Sequence, residues 1–202
     1  MPLWLAAEPL MLASKSASRR AVLQSAGIPI EIESADVDER GIEARAGLES
    51  PGRIAALLAR EKAKAVSTKH PDRLVLGADQ TLALGQRRFS KAPNRAVARE
   101  QLAALRGNIH SLHSAVCVMR GGAVLFENVD AAHLTMRPFS DAFLDSYLDA
   151  VGDKALSSVG CYQLENLGVT LFSHIEGDYF TILGLPMLAL LAALRDNGLV
   201  EG

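Results

Sequence analysis

The sequence has few of the features that mark secreted, membrane or nucleic-acid-binding proteins. Its 202 residues include two cysteines, Cys117 and Cys161, and neither lies in a CxxC pair or beside a histidine at zinc-ligand spacing. Two buried thiols in a reducing compartment are therefore expected. Residues 1–12 are apolar, but Glu8 and Pro9 interrupt them and no basic segment precedes them, so no signal peptide is predicted. We expect a cytoplasmic protein.

The net charge is small, and long apolar runs are scarce. The net charge is only -2, without an acidic or basic tail, which argues against a nucleic-acid-binding protein. The longest apolar run near the C-terminus, residues 182–194, is too short to span a bilayer and contains Gly184 and Pro186. Because 49% of the residues are hydrophobic, a folded chain is expected, with a single domain over residues 1–202.

Short apolar runs alternate along the chain with helical patterns. We predict strands over 10–13, 28–32, 74–78, 111–120 and 123–136, and helices over 17–26, 51–66, 96–105, 139–150 and 185–196. The pair Gly121–Gly122 indicates a hairpin between the last two strands. Residues 152–168 are predicted to be the longest irregular stretch. The interleaving predicts an α/β fold with a mixed sheet.

A polar turn follows the first strand and opens the first helix. Ser16 is a natural N-cap, and Ser14 and Ser18 can donate further hydrogen bonds. Free backbone N–H groups at a helix start bind anions, and Arg19 offers a guanidinium fork for phosphate. The segment could bind phosphate or could be an ordinary capped helix start with solvated arginines.

A carboxylate, Asp79, directly follows the predicted strand over 74–78. Ligands of open α/β sheets bind at the carboxyl ends of strands, so Asp79 could ligate a metal or act as a general base toward water. It could equally cap a turn. Covalent aspartyl chemistry is disfavoured, because Thr81 stands where a second aspartate would be needed.

Other charged groups offer weaker signals. The predicted acidic loop over 34–40 contains Asp36, Asp38 and Glu39, which could recruit Mg²⁺ or simply be solvated. Lys62 and Lys91, on separate elements, could neutralise a polyphosphate.

Within the irregular stretch, Gln163, Glu165 and Asn166 could read the edge of a base, although a glycine-flanked turn accounts for them as well.

Taken in order, these segments resemble the Maf family of nucleoside triphosphate pyrophosphatases over residues 10–196. The matching segments are 12–20, 38–39, 59–63, 77–81, 91–93, 105–110 and 177–186. Ala17 stands in place of the family's proline, and Ser18 occupies a position of Arg or Trp that is tied to base choice. Ala92 interrupts the family's Lys-Pro pair. Gln80 and Glu165 look like the branch that handles 7-methyl-GTP.

The resemblance implies an elongated mixed sheet with two lobes around a nucleotide cleft, and hydrolysis of a nucleoside triphosphate to the monophosphate and pyrophosphate. A divalent cation, Mg²⁺ or Mn²⁺, is implied as cofactor, with Asp79 and Glu39 as its ligands. Asp79 is the implied proton acceptor, acting with Glu39, Lys62 and Lys91. The implied substrate contacts are Ser14, Ser16, Ser18, Arg19, Gln80 and Glu165.

Two roles fit this resemblance. The leading expectation is an enzyme that removes non-standard or excess nucleotides from the pool. The alternative is a nucleotide-binding regulator of cell division in which hydrolysis is incidental. A homodimer is possible through the apolar C-terminal helix or the edge of the hairpin.

Overall fold

The computed structural model describes residues 3–201, in which helices and strands alternate. The strands of this range are β1 (Leu10–Leu12), β2 (Ile30–Ile32), β3 (Val75–Leu84), β4 (Arg87–Phe89), β5 (Ile109–Arg120), β6 (Ala123–Met136) and β7 (Phe172–Glu176). The α-helices are α1 (Ala17–Ser25), α2 (Glu39–Ala46), α3 (Pro51–Ser67), α4 (Arg95–Leu105), α5 (Asp141–Val151), α6 (Tyr179–Ile182) and α7 (Met187–Asp196). Short 3₁₀ helices span Gly152–Ser157, Val159–Cys161 and Leu167–Leu171.

All the named strands form one mixed sheet in the order β2-β1-β3-β5-β6-β7, with β4 paired to the end of β3. β1 runs parallel to both β2 and β3, and the remaining pairs are antiparallel. Gly121 and Gly122 join β5 to β6 and both have positive φ, as a tight two-residue hairpin turn requires. The prediction of an α/β fold with a mixed sheet is confirmed.

Alternate residues of the long strands point to opposite faces of the sheet. On one face, which we call the α3 face, Val75, Ala115, Cys117 and Met119 pack against α3. On the opposite face, which we call the α7 face, two separate apolar clusters form. Near one end of the strands, Leu76 and Val116 pack with α1 and α7, and near the other end, Leu82, Leu112 and Leu134 pack with α4 and α5. These clusters are the cores of the two lobes.

The structure corrects several boundaries. The strand predicted over 74–78 extends to Leu84, so Asp79 lies inside β3 and not directly after it. The extension depends on pairing with β5, from Val75↔Met119 to Ala83↔Ser111, and such a distant partner leaves no mark on the local pattern. The acidic loop ends earlier than predicted, because Asp38 caps α2 by accepting from the Gly41 N–H at 3.0 Å.

Candidate active site

Three charged side chains meet where α3 crosses β3. Gly77 permits a close approach of the helix, since a Cβ added there would lie 2.1 Å from the Ala59 carbonyl oxygen. Asp79, two residues further along the α3 face, is thereby brought within reach of Lys62. The Lys62 Nζ lies 2.6 Å from Asp79 Oδ1 and 2.7 Å from Glu39 Oε1. One ammonium group therefore joins two carboxylates.

The two carboxylates differ in their exposure to water. The Asp79 side chain is 10% exposed, whereas that of Glu39 is 50% exposed. Burial raises the pKa of Asp79 above its ordinary value, while the charges of Lys62 and Arg19 act in the opposite direction. A buried carboxylate of this kind accepts a proton more readily than an exposed one, which suits a general base.

Arg19 is buried and holds three segments of the chain together. β1 ends at Leu12, so the Ala78 carbonyl on the neighbouring β3 has no partner from that strand. The Arg19 Nη1 donates to this oxygen at 2.9 Å and to Ser14 Oγ at 3.1 Å, and Nε donates to the Gly184 carbonyl at 2.8 Å. Burial lowers the pKa of Arg19, and the nearby Asp79 opposes that shift. The predicted phosphate ligand is thus largely engaged by protein oxygens.

The serines of the polar turn shape the start of α1. Ser16 caps the helix by accepting from the Arg19 N–H at 3.4 Å, and Ser14 Oγ accepts from the Ser16 N–H at 3.2 Å. Ser18 Oγ donates to Glu165 Oε1 at 2.9 Å across 147 residues of sequence. The helix start and the loop that carries Glu165 are therefore neighbours, as the substrate-binding prediction requires.

The Gln80 amide forms hydrogen bonds within the protein. Its side chain lies on the α7 face, opposite Asp79, and Nε2 lies 3.0 Å from Ser114 Oγ, 3.1 Å from the Thr181 carbonyl and 3.0 Å from the Ile182 carbonyl. The amide group is engaged within the protein, so Gln80 holds the segment around α6 instead of presenting a free donor to a nucleotide. The polar partners on α6 were not predicted.

Two other predicted groups stand apart from the ion-paired centre. Lys91 is exposed in the loop after β4 and forms no ion pair or side-chain hydrogen bond with any residue between 3 and 201. In the later loop, Gln163 Nε2 donates to Ser157 Oγ at 3.2 Å, and Asn166 Nδ2 donates to Gln163 Oε1 at 3.3 Å. The structure thus joins Glu39, Lys62 and Asp79, but not Lys91.

One residue of the sequence, Gly77, indicates this close approach of α3 to β3 and did not enter the predictions above. An isolated glycine within a strand pattern marks a bulge or a close backbone approach, and Gly77 does the latter. The backbone acceptors at Ala78 and Gly184 carried no comparable signal, because any residue type supplies a carbonyl.

Comparison with known proteins decides the family. The family model described as "Maf-like protein" matches residues 9–197. The chain belongs to the Maf family. A relative named nucleoside triphosphate pyrophosphatase, from Rhodopseudomonas palustris strain ATCC BAA-98 / CGA009, is 58% identical over 200 residues and covers 99% of each chain. A 7-methyl-GTP pyrophosphatase from Rhizobium etli is 50% identical over 196 residues, covering 96% of this chain and 98% of the relative.

Among solved structures, a HAM1 protein from Coxiella burnetii aligns with 63% of this chain and 72% of its own, with a TM-score of 0.41 and 18% identity. That likeness is too low to carry an argument. The Maf assignment and the expectation of a hydrolytic enzyme are confirmed by the family model and the named relatives.

The metal predicted from the Maf resemblance has two candidate ligands. Within the described part of the chain, no group of three or more His, Cys, Asp or Glu side chains is placed to hold an ion. Asp79 and Glu39 each direct one oxygen to Lys62, which leaves the other oxygen of each for a cation. Mg²⁺ is commonly bound by one or two carboxylates together with substrate phosphates, and these residues fit that mode.

Within residues 3–201, no helix is long enough and apolar enough to cross a bilayer.

Proposed function

We propose that this Maf-family chain hydrolyses nucleoside triphosphates between the α- and β-phosphates and releases the monophosphate and pyrophosphate. The observation that carries the proposal is the buried Asp79 carboxylate beside the start of α1. Lys62 forms ion pairs with both Asp79 and Glu39. The relatives at 50–58% identity support this chemistry.

In the proposed reaction, Asp79 acts as the general base toward the attacking water. The water oxygen forms a bond to phosphorus, its proton passes to the Asp79 carboxylate, and the bond to the pyrophosphate oxygen breaks. Lys62 offsets the negative charge that develops on the phosphates, and the backbone N–H groups that begin α1 bind a phosphate oxygen.

A divalent cation, Mg²⁺ or Mn²⁺, would be held by the free oxygens of Asp79 and Glu39 and would neutralise phosphate charge. We expect Glu39→Gln to raise the Mg²⁺ concentration needed for half-maximal turnover about tenfold, as loss of a metal-site contact does elsewhere. A metal titration of initial rates checks this, and Glu49→Gln, on the exposed loop before α3, is the control. An unchanged titration midpoint would remove Glu39 from the metal site.

We propose a guanine-type base as the preferred substrate. The Glu165 carboxylate only accepts hydrogen bonds, and the guanine edge carries N–H donors, whereas uracil offers a single ring N–H between two carbonyls. The Rhizobium etli relative, named for 7-methyl-GTP, agrees with this choice. Glu165→Gln should therefore lower kcat/KM for GTP or 7-methyl-GTP more than for UTP.

We propose that the protein acts in the cytoplasm as an enzyme that removes unwanted nucleotides. It has no nucleic-acid partner and can form a homodimer. The alternative, a nucleotide-binding regulator of division, makes a different prediction. One assay separates them: the protein is incubated with Mg²⁺ or Mn²⁺ and a panel of standard and methylated triphosphates, and the products are separated. Equal amounts of monophosphate and pyrophosphate support the enzyme, whereas binding without products supports the regulator.

A further inference from the structure

A buried glutamine connects the Lys91 loop to the body of the protein. Gln101 lies on α4, is 8% exposed, and donates from Nε2 to the Ser90 carbonyl at 2.9 Å. Ser90 immediately precedes Lys91 in the loop between β4 and α4. An apolar residue at position 101 would pack in the same core but could not donate to Ser90, so the amide contributes a hydrogen bond in addition to packing.

The other end of the same amide contacts a cysteine. Cys161 Sγ donates to Gln101 Oε1 at 3.4 Å, and Cys161 is buried in the same apolar cluster as Ala92. Burial raises the pKa of the Cys161 thiol to about 11, so the thiol keeps its proton and remains a donor near neutral pH. The Lys91 loop is therefore held on both sides of the lysine, by the Gln101 hydrogen bond at Ser90 and by burial of Ala92 in the cluster that contains Cys161.

Cys161 itself adopts a conformation that favours glycine. Its φ of +63° is the one positive value at a non-glycine position in the described chain. Such residues persist where surrounding contacts hold them, and here Tyr147 Oη also donates to the Cys161 carbonyl at 3.3 Å. Glycine would relieve the backbone strain but would lack the thiol, so the side chain at this position has a use.

The turn at Cys161 leads into the segment that carries Glu165. Tyr162 and Leu164 are buried in the lobe core formed with α4 and α5, so the start of this segment is fixed relative to the sheet. Glu165 then emerges to meet Ser18 on α1. The same thiol and amide thus connect the loop that carries Lys91 with the segment that leads to Glu165.

We propose that Gln101 and Cys161 form a brace that positions Lys91, and with it the Glu165 loop, for the nucleotide. The activity readouts rest on the proposed pyrophosphatase function. Gln101 and Cys161 are positioning residues, since Lys91 and Glu165 are the groups that would contact substrate.

The first test is a double-mutant cycle of Gln101→Met with Lys91→Ala. Methionine keeps the side-chain volume and removes both hydrogen bonds of the Gln101 side-chain amide. We expect Gln101→Met to lower kcat/KM about tenfold when Lys91 is present and less than twofold when Lys91 is already alanine, because coupled residues are non-additive. Equal losses in both backgrounds, or no loss from Lys91→Ala, would overturn the positioning of Lys91.

The second test reads the loop without catalysis. Hydrogen exchange of the buried Ala92 amide should quicken at least tenfold in Cys161→Ala, because the loop opens more easily without the thiol contact. Cys161→Ser should restore much of the protection, since serine retains a donor to the Gln101 side-chain carbonyl. Cys117→Ala is the matched control, because Cys117 is an equally buried thiol on β5 that packs against α3. Unchanged Ala92 exchange in Cys161→Ala would refute the brace. If the wild-type protein hydrolysed no triphosphate, the proposed function would fail, and this exchange measurement would still decide the brace.

Discussion

Neighbouring residues on β3 are used in different ways. Asp79, on the α3 face, is a buried carboxylate paired with Lys62, which also contacts the more exposed Glu39. Gln80, on the α7 face, directs its amide to Ser114 and to backbone carbonyls near α6. The period of two in a strand thus places the proposed general base and the glutamine that contacts the α6 segment on opposite faces. The comparison predicts large kinetic effects on the α3 face and effects mainly on stability on the α7 face.

The largest effect is expected from Asp79→Asn. Loss of the proposed base should lower kcat about a thousandfold, within the range for a general base, while the thermal midpoint stays close to that of the wild type. Steady-state pyrophosphate release and calorimetry check the two parts. Asp72→Asn, on an exposed turn, should leave both unchanged. Turnover near the wild-type rate in Asp79→Asn would show that the α3 face is not the reacting face.

Lys62→Met should lower kcat/KM about 300-fold, because the ammonium that offsets phosphate charge is removed. Lys64→Met provides a matched control, since Lys64 is exposed two residues further along the same helix. Initial rates at several triphosphate concentrations measure the effect. If kcat/KM fell by the same small factor in both lysine variants, Lys62 would be an ordinary surface charge with no specific role in the proposed site.

A pH effect is expected from His110 on the α7 face. Burial lowers the pKa of His110 to about 4, because its ring is enclosed with Tyr162 and Phe172. Between pH 6.5 and 4 the unfolded chain binds a proton that the folded chain does not, so stability is present above that window and is lost as pH falls. The loss amounts to about 3 kcal/mol from the pKa difference.

Chemical denaturation at pH 7 and pH 4.5 measures that loss. His110→Gln should show a smaller decrease in the free energy of unfolding between the two pH values than the wild type, whatever its stability at pH 7. His174→Gln, on exposed β7, should keep the wild-type decrease. An identical decrease in His110→Gln would mean that other groups cause the acid sensitivity.

Gln80→Ala should have the smallest effect on rate. Removing the amide leaves carbonyls of the α6 segment without a donor and should cost about 2 kcal/mol of unfolding free energy. We expect kcat/KM to fall less than tenfold. Urea denaturation and initial rates test the two claims, with Gln24→Ala on the exposed side of α1 as control. A large kinetic loss without loss of stability would place Gln80 on the substrate instead.

Local pattern predicted much of this molecule. Periodicity and glycine placement gave the helices at α1, α3 and α4, the β5–β6 hairpin and the mixed sheet. The set of charged residues at Asp79, Glu39 and Lys62 came from residue type and from resemblance to the Maf family. Their meeting could not be derived from spacing, because it depends on how closely α3 approaches β3 at Gly77.

The errors have related causes. The length of β3 depends on β5, which lies about thirty residues later, and β4, β7 and α6 are short segments fixed by their partners. Gln80 was predicted to contact substrate from the resemblance to the Maf family, a prediction that remains untested, and its strand register turns the amide to the face opposite Asp79. Local patterns therefore predicted the elements better than the lengths of the strands and the directions of side chains.

The most direct test of the proposed active site is kcat/KM of the Asp79→Asn/Lys62→Met double variant beside both single variants. If the ion-paired side chains act as one unit, the double variant should be about as slow as Asp79→Asn alone. Losses that multiply, so that the double variant falls far below either single variant, would show that the two groups act separately and would contradict this account.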